Sequence, residues 1–542
     1  MAPPAPVAPP RADAPPGPPA PRSSTRSSGL IGAGILISRL LGLVRQSLIA
    51  RYLGAGIVSD AFNGAFRLTN FLQNLFGEGA LSASFIPVYA RSLERETDET
   101  ADRIAGAIAA LLALVTSIIV VLGILGAPYV VELFVGGFTG EKRELAIRLT
   151  RILFPGAGVF VLSAWCLGIL NSHRRFFLSY VAPVFWNLAM LLALVVYGGR
   201  RGEVDLAVVL AWASVIGAVL QMGVQLPTVF GLLTHFRPHL DLSFPPVREI
   251  VVNFVPAFVA RGVVQLSTII DMRLASYIAA DGVVTLLQNA STIYILPISL
   301  FGMAVSAAEL PEMARESGTS DQAEAFRKLQ QRLNAALPRV AYFVVPSAIA
   351  FLVVGQSITD VLLRHGKFTS VDSMRTWAIL AGPGVGLLAS ALGRLYSTSF
   401  YALKDTRTPL RFAIVRVALT GLLGYLFAFP LPRLLGLPAW WGAAGLTASA
   451  GIAGWVEYWL LRRAITARIG PTRLPPRTLA TLWGAGLAAA VVGWGTGLLL
   501  ASGGHMVRGF AVLAAFSLAY GLVTLALGVP EARGIVAKVL RR

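Results

Sequence analysis

The fold is decided by the stretch GLIGAGILISRLLGLVRQSLIARYLGAGIVSDAF, residues 29–62, which is apolar along its length but carries three arginines. Arg39, Arg45 and Arg51 follow one another at intervals of six residues. An arginine at the centre of a membrane helix costs roughly 2.5–3.5 kcal/mol, so such charges are kept where they face water, a partner or a ligand. Arg51 is near the end of the stretch and is expected to snorkel to the interface. The stretch therefore predicts a membrane helix whose two deeper arginines serve a purpose other than stability.

The composition of the whole chain is that of a membrane protein. Of 542 residues, 55% are hydrophobic and 13% are charged, and the mean hydropathy is +0.69, whereas soluble domains are nearer a quarter charged. The net charge of +19 comes largely from basic residues in short loops, which is a topology signal and does not predict a nucleic-acid partner. The single cysteine, Cys166, lies inside an apolar run and is predicted to be a small packing residue.

Membrane spans can be counted because each needs about 20 apolar residues. We expect an all-α polytopic protein with about fourteen transmembrane helices. The predicted spans are 30–53, 58–88, 104–135, 147–171, 179–198, 206–232, 250–279, 283–311, 337–363, 374–402, 409–430, 438–461, 479–501 and 506–528. Residues 1–28 are rich in Pro, Ala and Ser and are predicted to be a disordered tail, not a signal peptide. Basic residues concentrate in alternate loops, which places both termini in the cytoplasm.

Two sequence echoes predict an internal repeat. SASFIPVYAR (82–91) is similar to SAAELPEMAR (306–315), and the Pro-Gly pair at 155–156 recurs at 383–384, at nearly the same offset. Internal repeats around a midplane site are typical of secondary transporters. The predicted parts are two six-helix lobes followed by two helices with a cytoplasmic tail, with bounds 29–245, 246–470 and 471–542.

The second span supplies polar partners for the arginines of the first. It contains Asp60, Arg67 and Glu78 together with several amides. Asp60 and Glu78 are expected to neutralise two of the first-span arginines, which leaves positive charge over. The alternatives are a hydrated cationic cavity and simple ion pairing within the bundle. A cationic cavity suits an anionic substrate such as a diphosphate, which arginine binds in a bidentate fork.

Misplaced charges recur in the second half. Arg261, Asp271 and Arg273 lie in the seventh span, Arg394 in the tenth and Arg416 in the eleventh. Arg261 is near the middle of its predicted helix and is the expected second-half partner of the first-half arginines. Asp271 is expected either to hold a cation or to pair with Arg416.

The sequence contains no pattern typical of an enzyme. The five histidines lack the spacing of a metal pair with a nearby acid. The GKFT at 366–369 lacks the first glycine of a Walker motif, so no ATP motor is predicted. We therefore expect a protein that is not an enzyme and needs no metal or cofactor.

Short motifs along the chain are shared with a known family. They are SRLLGLVR (38–45), GAGIVSDAF (54–62), RLTNFL (67–72), FGEGALSASFIP (76–87), APYV (127–130), FPG (154–156), ILNSHRRF (169–176), APVFWN (182–187), QLP (225–227), GKFT (366–369) and SFYALKDTRTP (399–409). This set resembles the MurJ/MviN lipid II flippases of the multidrug/oligosaccharidyl-lipid/polysaccharide exporter superfamily. The resemblance spans nearly all of the membrane region.

The resemblance implies two six-helix lobes in a V around a central cationic cavity, with the last two helices forming a groove for a polyprenyl tail. Members move undecaprenyl-diphosphate-linked peptidoglycan precursor from the inner to the outer leaflet of the bacterial cytoplasmic membrane by alternating access. Arg39, Arg45 and Asp60 match positions required for function, and Arg67 and Glu78 match cavity positions. The implied partners are lipid II, membrane lipids and cell-wall synthesis proteins.

The chain departs from the family at two positions where an arginine is expected. Gln73 stands at one of them and Thr292 at the other. Arg261 and Arg273 have no counterpart in the family by our alignment, so either of them is expected to compensate.

Three functions stay open on the sequence alone. They are a lipid II flippase, a flippase for another polyprenyl-diphosphate-linked oligosaccharide, and a non-transporting membrane scaffold with the same fold. A scaffold predicts a cavity closed by ion pairs, and the surplus of arginine over acid in the first lobe counts against it. Some relatives hold sodium at an acid matching Asp271, but Arg416 stands on the span that would supply polar ligands, which counts against a sodium site here.

Overall fold

The computed structural model describes residues 25–303, 305–306, 309, 313 and 322–540, and every regular element among them is a helix. The helices of the first half are α1 (Thr25–Leu53), α2 (Ile57–Leu72), the π-helix π1 (Gln73–Leu81), α3 (Ser82–Arg95), α4 (Asp98–Leu125), α5 (Ala127–Val135), α6 (Gly140–Ser172), α7 (Phe176–Tyr197) and α8 (Glu203–Leu232). Those of the remainder are α9 (Pro245–Ser276), α10 (Val283–Pro297), the π-helix π2 (Ile298–Met303), α11 (Gln322–Val353), α12 (Gly355–Leu363), α13 (Ser370–Ala402), α14 (Arg407–Ala428), α15 (Pro430–Leu434), α16 (Trp441–Ile469), α17 (Pro476–Leu499), α18 (His505–Ala526) and α19 (Pro530–Leu540).

The predicted all-α membrane architecture is confirmed. Ten helices of the described residues are long and apolar enough to cross a membrane. The four other predicted spans coincide with α1, with the run α2–π1–α3, with α9 and with α16, which carry charges within their length. The number fourteen stays a prediction. Residues 25–28, predicted as part of a disordered tail, instead form the first turn of α1, and the rest of that tail lies outside the described residues.

The two halves contain elements of matching length in the same order. Helices α6 and α13 have 33 residues each, with an internal proline at 155 and 383 respectively. Helices α7 and α14 have 22 residues each, and the short α5 and α12 have nine each. The second span of each half also contains a π-helix. This correspondence extends the sequence echoes along most of each half, although most of 306–315 lies outside the described residues. The lobe bounds remain predictions.

Helices α6 and α13 also end in the same kind of turn. Arg174 and Lys404 both adopt the left-handed conformation, with φ of 60° and 59°. The N–H groups of Arg175 and Asp405 then donate to carbonyls five residues earlier, at 2.8 and 2.9 Å. Such a closure satisfies the last carbonyls of a helix, but at a residue other than glycine it costs roughly 1–2 kcal/mol.

The carboxylate of Asp405 completes the second of these turns. It accepts hydrogen bonds from the Thr408 N–H at 3.0 Å and the Thr408 hydroxyl at 2.7 Å, and pairs with Arg468 at 2.7 Å. Burial alone would raise the pKa of Asp405, but the bonds from Thr408 and Arg468 outweigh it and lower the pKa to about 2. The side chain is therefore ionised at neutral pH.

The connection between the halves is tied to the first turns of α4. The N–H of His235 donates to the Asp102 carboxylate at 2.5 Å. Arg103 pairs with Asp241 at 2.6 Å and lies 4.3 Å from the ring centre of Phe244. These contacts fix the start of α9 against the first half.

Helices of the second half pack through small residues. A Cβ atom on Gly386 of α13 would collide with Gly451 of α16, and one on Gly382 would collide with Thr447 of α16. Close approach of this kind is how helices associate where lipid removes the hydrophobic driving force. The pair α13–α16 therefore forms a rigid support for the charged residues on both helices.

Candidate functional site

The guanidinium of Arg45, on α1, lies against an aromatic wall of the first half. It is 4.5 Å from the ring centre of Trp186 and 5.3 Å from that of Phe66. One nitrogen donates a hydrogen bond to Oδ1 of Asn187 at 2.9 Å. Stacking on an indole and a polar anchor together fix the plane in which the guanidinium lies.

This cation is incompletely bonded. Among the described residues, Asn187 is its only hydrogen-bond partner, and Nε of Arg45 is buried without one. No described acid lies within ion-pairing distance of Arg45. A guanidinium has five N–H donors, and a buried donor without an acceptor is costly. Most N–H donors of Arg45 therefore lack an acceptor among the described residues, which suits an anion-binding group.

A second charged contact, between one residue of each half, also lacks a direct ion pair. Arg67 of α2 and Asp271 of α9 interact electrostatically, although within the described chain neither has an ion pair closer than 4 Å. One carboxylate oxygen of Asp271 is buried without a hydrogen-bond partner. Because Arg67 and Asp271 are not in direct contact, each keeps polar atoms that can bind a third partner.

A chain of charged and phenolic side chains continues into the second half. Arg416 of α14 pairs with Glu457 of α16 at 2.9 Å. The exposed Arg394 of α13 interacts electrostatically with Glu457, Arg416 and Tyr401. Tyr401 interacts in turn with Arg261 of α9. These positive charges therefore lie in one region. Arg67 of the first half is connected to it because Asp271 interacts with both Arg67 and Arg416.

We refer to four of these side chains as the arginine cluster: Arg67, Arg261, Arg394 and Arg416. The described contacts of Arg45 are with Phe66, Trp186 and Asn187. The acids that interact with the cluster among the described side chains are Asp271 and Glu457. Positive charge therefore exceeds negative charge, as the cationic-cavity interpretation requires.

The structure separates the two arginines that were expected to compensate for Gln73 and Thr292. Arg261 is exposed and packs directly over Gly79 of π1, where a Cβ atom would collide with it. Arg273 instead donates to the carbonyls of Glu132 and Leu133, at 3.1 and 2.8 Å. Arg261 therefore lies in the cluster, and Arg273 lies at a contact between α9 and α5.

The remaining predicted residues are placed as follows. Arg39 is exposed on α1, before Arg45. Glu78 belongs to π1, but its side chain lies outside the described part of the structure. Gln73 begins π1, and the Thr292 hydroxyl donates to the carbonyl of Gln288 at 2.9 Å. Neither Gln73 nor Thr292 contributes charge.

Asp60 lies in a different and fully bonded environment. Its carboxylate pairs with Lys142 of α6 at 2.6 Å. It also accepts from the N–H groups of Gly282 and Thr285 and from the Thr285 hydroxyl, each at 2.9 Å. Lys142 reaches Asp281 at 3.3 Å as well. We refer to these five residues as the Asp60 cluster. It joins the first half to the N-terminus of α10, where a negative charge is favoured by the helix dipole.

Further bonds between the halves surround the Asp60 cluster. Gln46 donates to Asn289 at 2.7 Å. The N–H of Lys367 donates to the Arg51 carbonyl at 2.9 Å, and its amine pairs with Glu203 at 2.6 Å. This end of the helices is therefore closed, and Arg51 is at the surface of the closure as its position in α1 predicted.

Two expected ion pairs are wrong. Asp60 pairs with Lys142 and not with a first-span arginine, because it lies at the closed end and not beside Arg39 or Arg45. Asp271 does not pair directly with Arg416, because Glu457 binds that guanidinium. Asp60 was also expected to contact substrate; it is buried, with a relative exposure of 0%, and its carboxylate is bonded to Lys142, Gly282 and Thr285, so a substrate contact stays a prediction.

Several participating residues were missed by sequence reasoning. Lys142 lies in a loop-proximal stretch, and nothing in the sequence pairs it with Asp60. Trp186 and Asn187 were noted only as part of a family motif. Glu457 was not noted, although an acid in an apolar run is a detectable signal. Arg394 was noted as misplaced but not assigned to the site.

A family model described as "Lipid II flippase MurJ" matches residues 49–512. The chain belongs to the MurJ lipid II flippase family. It is 33% identical to the lipid II flippase MurJ of Burkholderia cenocepacia, over 79% of this chain and 80% of that one. It is 32% identical to the probable lipid II flippase MurJ of Rhizobium tropici, over 79% of this chain and 78% of that one. Family membership and the ten apolar helices make it a multi-pass inner-membrane protein.

Solved structures with the same fold include a member of this family and a MATE-family transporter. A lipid II flippase MurJ in an inward closed conformation superposes with a TM-score of 0.75 at 23% identity, over 92% of this chain and 99% of that one. An inward-facing MATE-family multidrug transporter of the MOP superfamily gives 0.64 at 19% identity, over 81% and 98%. At these identities the likeness establishes the fold, which confirms the expected transporter architecture.

Proposed function

We propose that this protein moves lipid II, a polyprenyl-diphosphate-linked glycan, from the inner to the outer leaflet of the cytoplasmic membrane. The observation that carries the proposal is Arg45, a half-buried guanidinium held in place with no anionic partner among the described side chains. The arginine cluster supplies further positive charge. A diphosphate supplies several acceptor oxygens and negative charge, which is what this arrangement lacks.

The two halves have separate roles in the proposed binding. Arg45 and Arg67 contact the diphosphate from the first half. Arg261 and Arg394 contact it from the second and supply the charge that Gln73 and Thr292 do not. Arg39, exposed and nearer the start of α1, meets the substrate on its way in. Asp60 controls closure and does not contact the substrate.

Transport proceeds by alternating access in this proposal. With both termini cytoplasmic, the end closed by the Asp60 cluster faces outward and the cluster of arginines is reached from the cytoplasm. Opening to the outside requires the Asp60 cluster to separate, since it bridges α2 and α6 to α10. Glycine and proline residues within the spans allow the necessary bending.

The pair Arg416–Glu457 acts as a fixed ion pair next to Asp271 in this proposal. A guanidinium already bound at 2.9 Å supplies the positive charge near Asp271 that a bound metal cation would otherwise bring. Within the described residues no group of three or more His, Cys, Asp or Glu side chains is placed to hold a metal ion.

The proposed partners are lipid II, membrane lipids and the cell-wall synthesis proteins that make or consume lipid II. The scaffold alternative is disfavoured by Arg45 and Arg67, which form no ion pair among the described side chains, because a scaffold has no use for charges of this kind in a membrane helix. A different lipid-linked glycan remains the second candidate. It is supported by the replacement of two family arginines at Gln73 and Thr292.

Complementation tests the proposal directly. A bacterium depleted of its own lipid II flippase is given the wild-type chain, Arg45→Ala or Arg273→Ala. We expect rescue by wild type and by Arg273→Ala, since Arg273 lies outside the arginine cluster, and no rescue by Arg45→Ala. A wild-type protein that inserts into the membrane and does not rescue would overturn lipid II as the substrate.

A further inference from the structure

The side chains behind Arg45 form an unusually complete support. Trp186 is stacked on Phe66 with a ring-centre distance of 5.7 Å and an angle of 6°, and meets Phe160 edge-on at 5.5 Å. Its indole N–H donates to Ser214 at 3.2 Å. The ring is therefore held by Phe66, Phe160 and Ser214, and none of these three contacts involves Arg45 itself.

Asn187 is fixed in the same way. Its amide nitrogen donates to the carbonyl of Pro183 at 3.0 Å, one turn earlier in α7. This bond leaves Oδ1 pointing toward Arg45, so the amide cannot turn its nitrogen toward the guanidinium without losing a bond. A neutral acceptor orients the cation and leaves its charge available, whereas a carboxylate at this position would neutralise it.

We infer that Trp186 and Asn187 are positioning residues that hold the Arg45 guanidinium ready to bind a diphosphate group. The inference rests on the proposed function for the identity of the substrate, but the group it recognises is the diphosphate alone. Because the guanidinium is pre-oriented, the ordering cost of a long flexible side chain is met in the folded protein and not on binding.

The effect of losing the indole can be bounded. A cation–π contact contributes about 0.5–2 kcal/mol, which corresponds to a roughly twofold to thirtyfold change in affinity. Trp186→Leu removes the aromatic face, and Trp186→Phe keeps a face while losing the bond to Ser214. We expect Trp186→Leu to weaken binding within that range and Trp186→Phe to weaken it less.

Two variants at Asn187 distinguish an effect on the orientation of the Arg45 guanidinium from an effect on its charge. Asn187→Leu removes the acceptor, and Asn187→Asp replaces it with an anion that pairs with Arg45. We expect Asn187→Asp to weaken diphosphate binding more than Asn187→Leu, even though aspartate is the closer match in shape. A purely structural role for Asn187 predicts the reverse order.

Binding of inorganic diphosphate to the purified full chain is the test, measured by calorimetry, with each variant made in both wild-type and Arg45→Ala backgrounds. Trp165→Leu is the matched control, because Trp165 is also buried and also donates its N–H, to Ala105 at 3.2 Å, but does not contact an arginine. We expect Trp186→Leu to weaken binding in the wild-type background and to add nothing in the Arg45→Ala background. Trp165→Leu should have the same small effect in both.

The inference is overturned if Trp186→Leu is additive with Arg45→Ala, or if the wild-type chain does not bind inorganic diphosphate. A parallel measurement of lipid II transport in proteoliposomes tests the proposed function separately from the inference. Diphosphate binding that depends on Trp186, together with a wild-type chain that does not move lipid II, would retain the inference and reject the proposed substrate.

Discussion

Arg45 and Asp60 are both charged side chains in the first two helices, and the structure treats them in opposite ways. Asp60 is fully buried, paired with Lys142 and bonded to the N-terminus of α10. Arg45 has one neutral hydrogen-bond partner and a buried Nε with none. Asp60 therefore joins the two halves through a complete set of bonds, whereas Arg45 keeps unused hydrogen-bond donors, which suits the ligand-binding role proposed for it.

The largest effect on stability is expected when Asp60, whose carboxylate is fully hydrogen-bonded, is replaced. Asp60→Ala leaves two helix N–H groups without their acceptor and Lys142 with Asp281 alone, and breaking a buried pair costs about 3–5 kcal/mol. We expect a lower thermal unfolding midpoint in detergent and faster hydrogen exchange at the start of α10.

Asp281→Ala is the control for that measurement, because Asp281 shares Lys142 but its side chain is 64% exposed. An exposed pair contributes at most about 1 kcal/mol. An unchanged midpoint in Asp60→Ala would mean that the Asp60 cluster does not hold the halves together.

Replacing Arg45, whose N–H donors are incompletely bonded, should reduce transport without lowering thermal stability. Arg45→Ala deletes charge-assisted bonds to the substrate, each about 1.5–3 kcal/mol, so we expect lipid II transport in proteoliposomes to fall roughly tenfold to a hundredfold or more. The unfolding midpoint should stay the same or rise, because a half-buried cation with no anionic partner among the described residues is lost.

Arg45→Lys sharpens this prediction. Lysine keeps the charge but not the planar fork, so we expect transport between those of wild type and Arg45→Ala. A loss of stability in Arg45→Ala comparable with that in Asp60→Ala would remove the contrast between the two sites.

The same contrast recurs between two arginines of α9. Arg261 lies in the arginine cluster, while Arg273 is bonded to carbonyls of α5. We expect Arg261→Ala to weaken lipid II binding about tenfold, as for one charge-assisted bond, with little change in the unfolding midpoint. Arg273→Ala should lower the midpoint with little change in binding. The opposite assignment would make Arg273 the compensating residue.

The smallest effect concerns Asp405, a bonded carboxylate outside the membrane helices. Its pKa is about 2 in the folded protein, below the ordinary value of about 3.9. The stabilisation is therefore complete above about pH 4 and is lost as the pH falls toward 2. We expect the midpoint difference between wild type and Asp405→Asn to shrink between pH 7 and pH 3. A difference that does not change with pH would mean that the charge of Asp405 is not what stabilises the turn.

The fold could be predicted because several independent sequence patterns along the chain indicate the same architecture. Long apolar runs, basic loops and the two echoes each specify membrane helices in a repeated order, and the observed elements follow that order. The start of α1 was misplaced by four residues because its first turn contains Ser, Thr and Arg, which composition assigns to a tail.

The site was only partly predictable because pairing depends on position in space. The arginines could be found as charges in apolar runs, and the binding roles predicted for Arg45 and Arg261 stay predictions. Whether Asp60 meets an arginine or Lys142 depends on how α2 and α6 approach α10, which no local pattern records. The same limit hid Glu457, whose helix packs against α14 only in the folded chain.

The left-handed turns at Arg174 and Lys404 bear on the history of the molecule. Two helices of equal length that end at a basic residue in the same unfavourable conformation are more simply explained by gene duplication than by two separate origins. Duplicating a unit with an even number of membrane crossings leaves both copies the same way up, so each copy inherits the side of the membrane on which its ancestor displayed the basic turn.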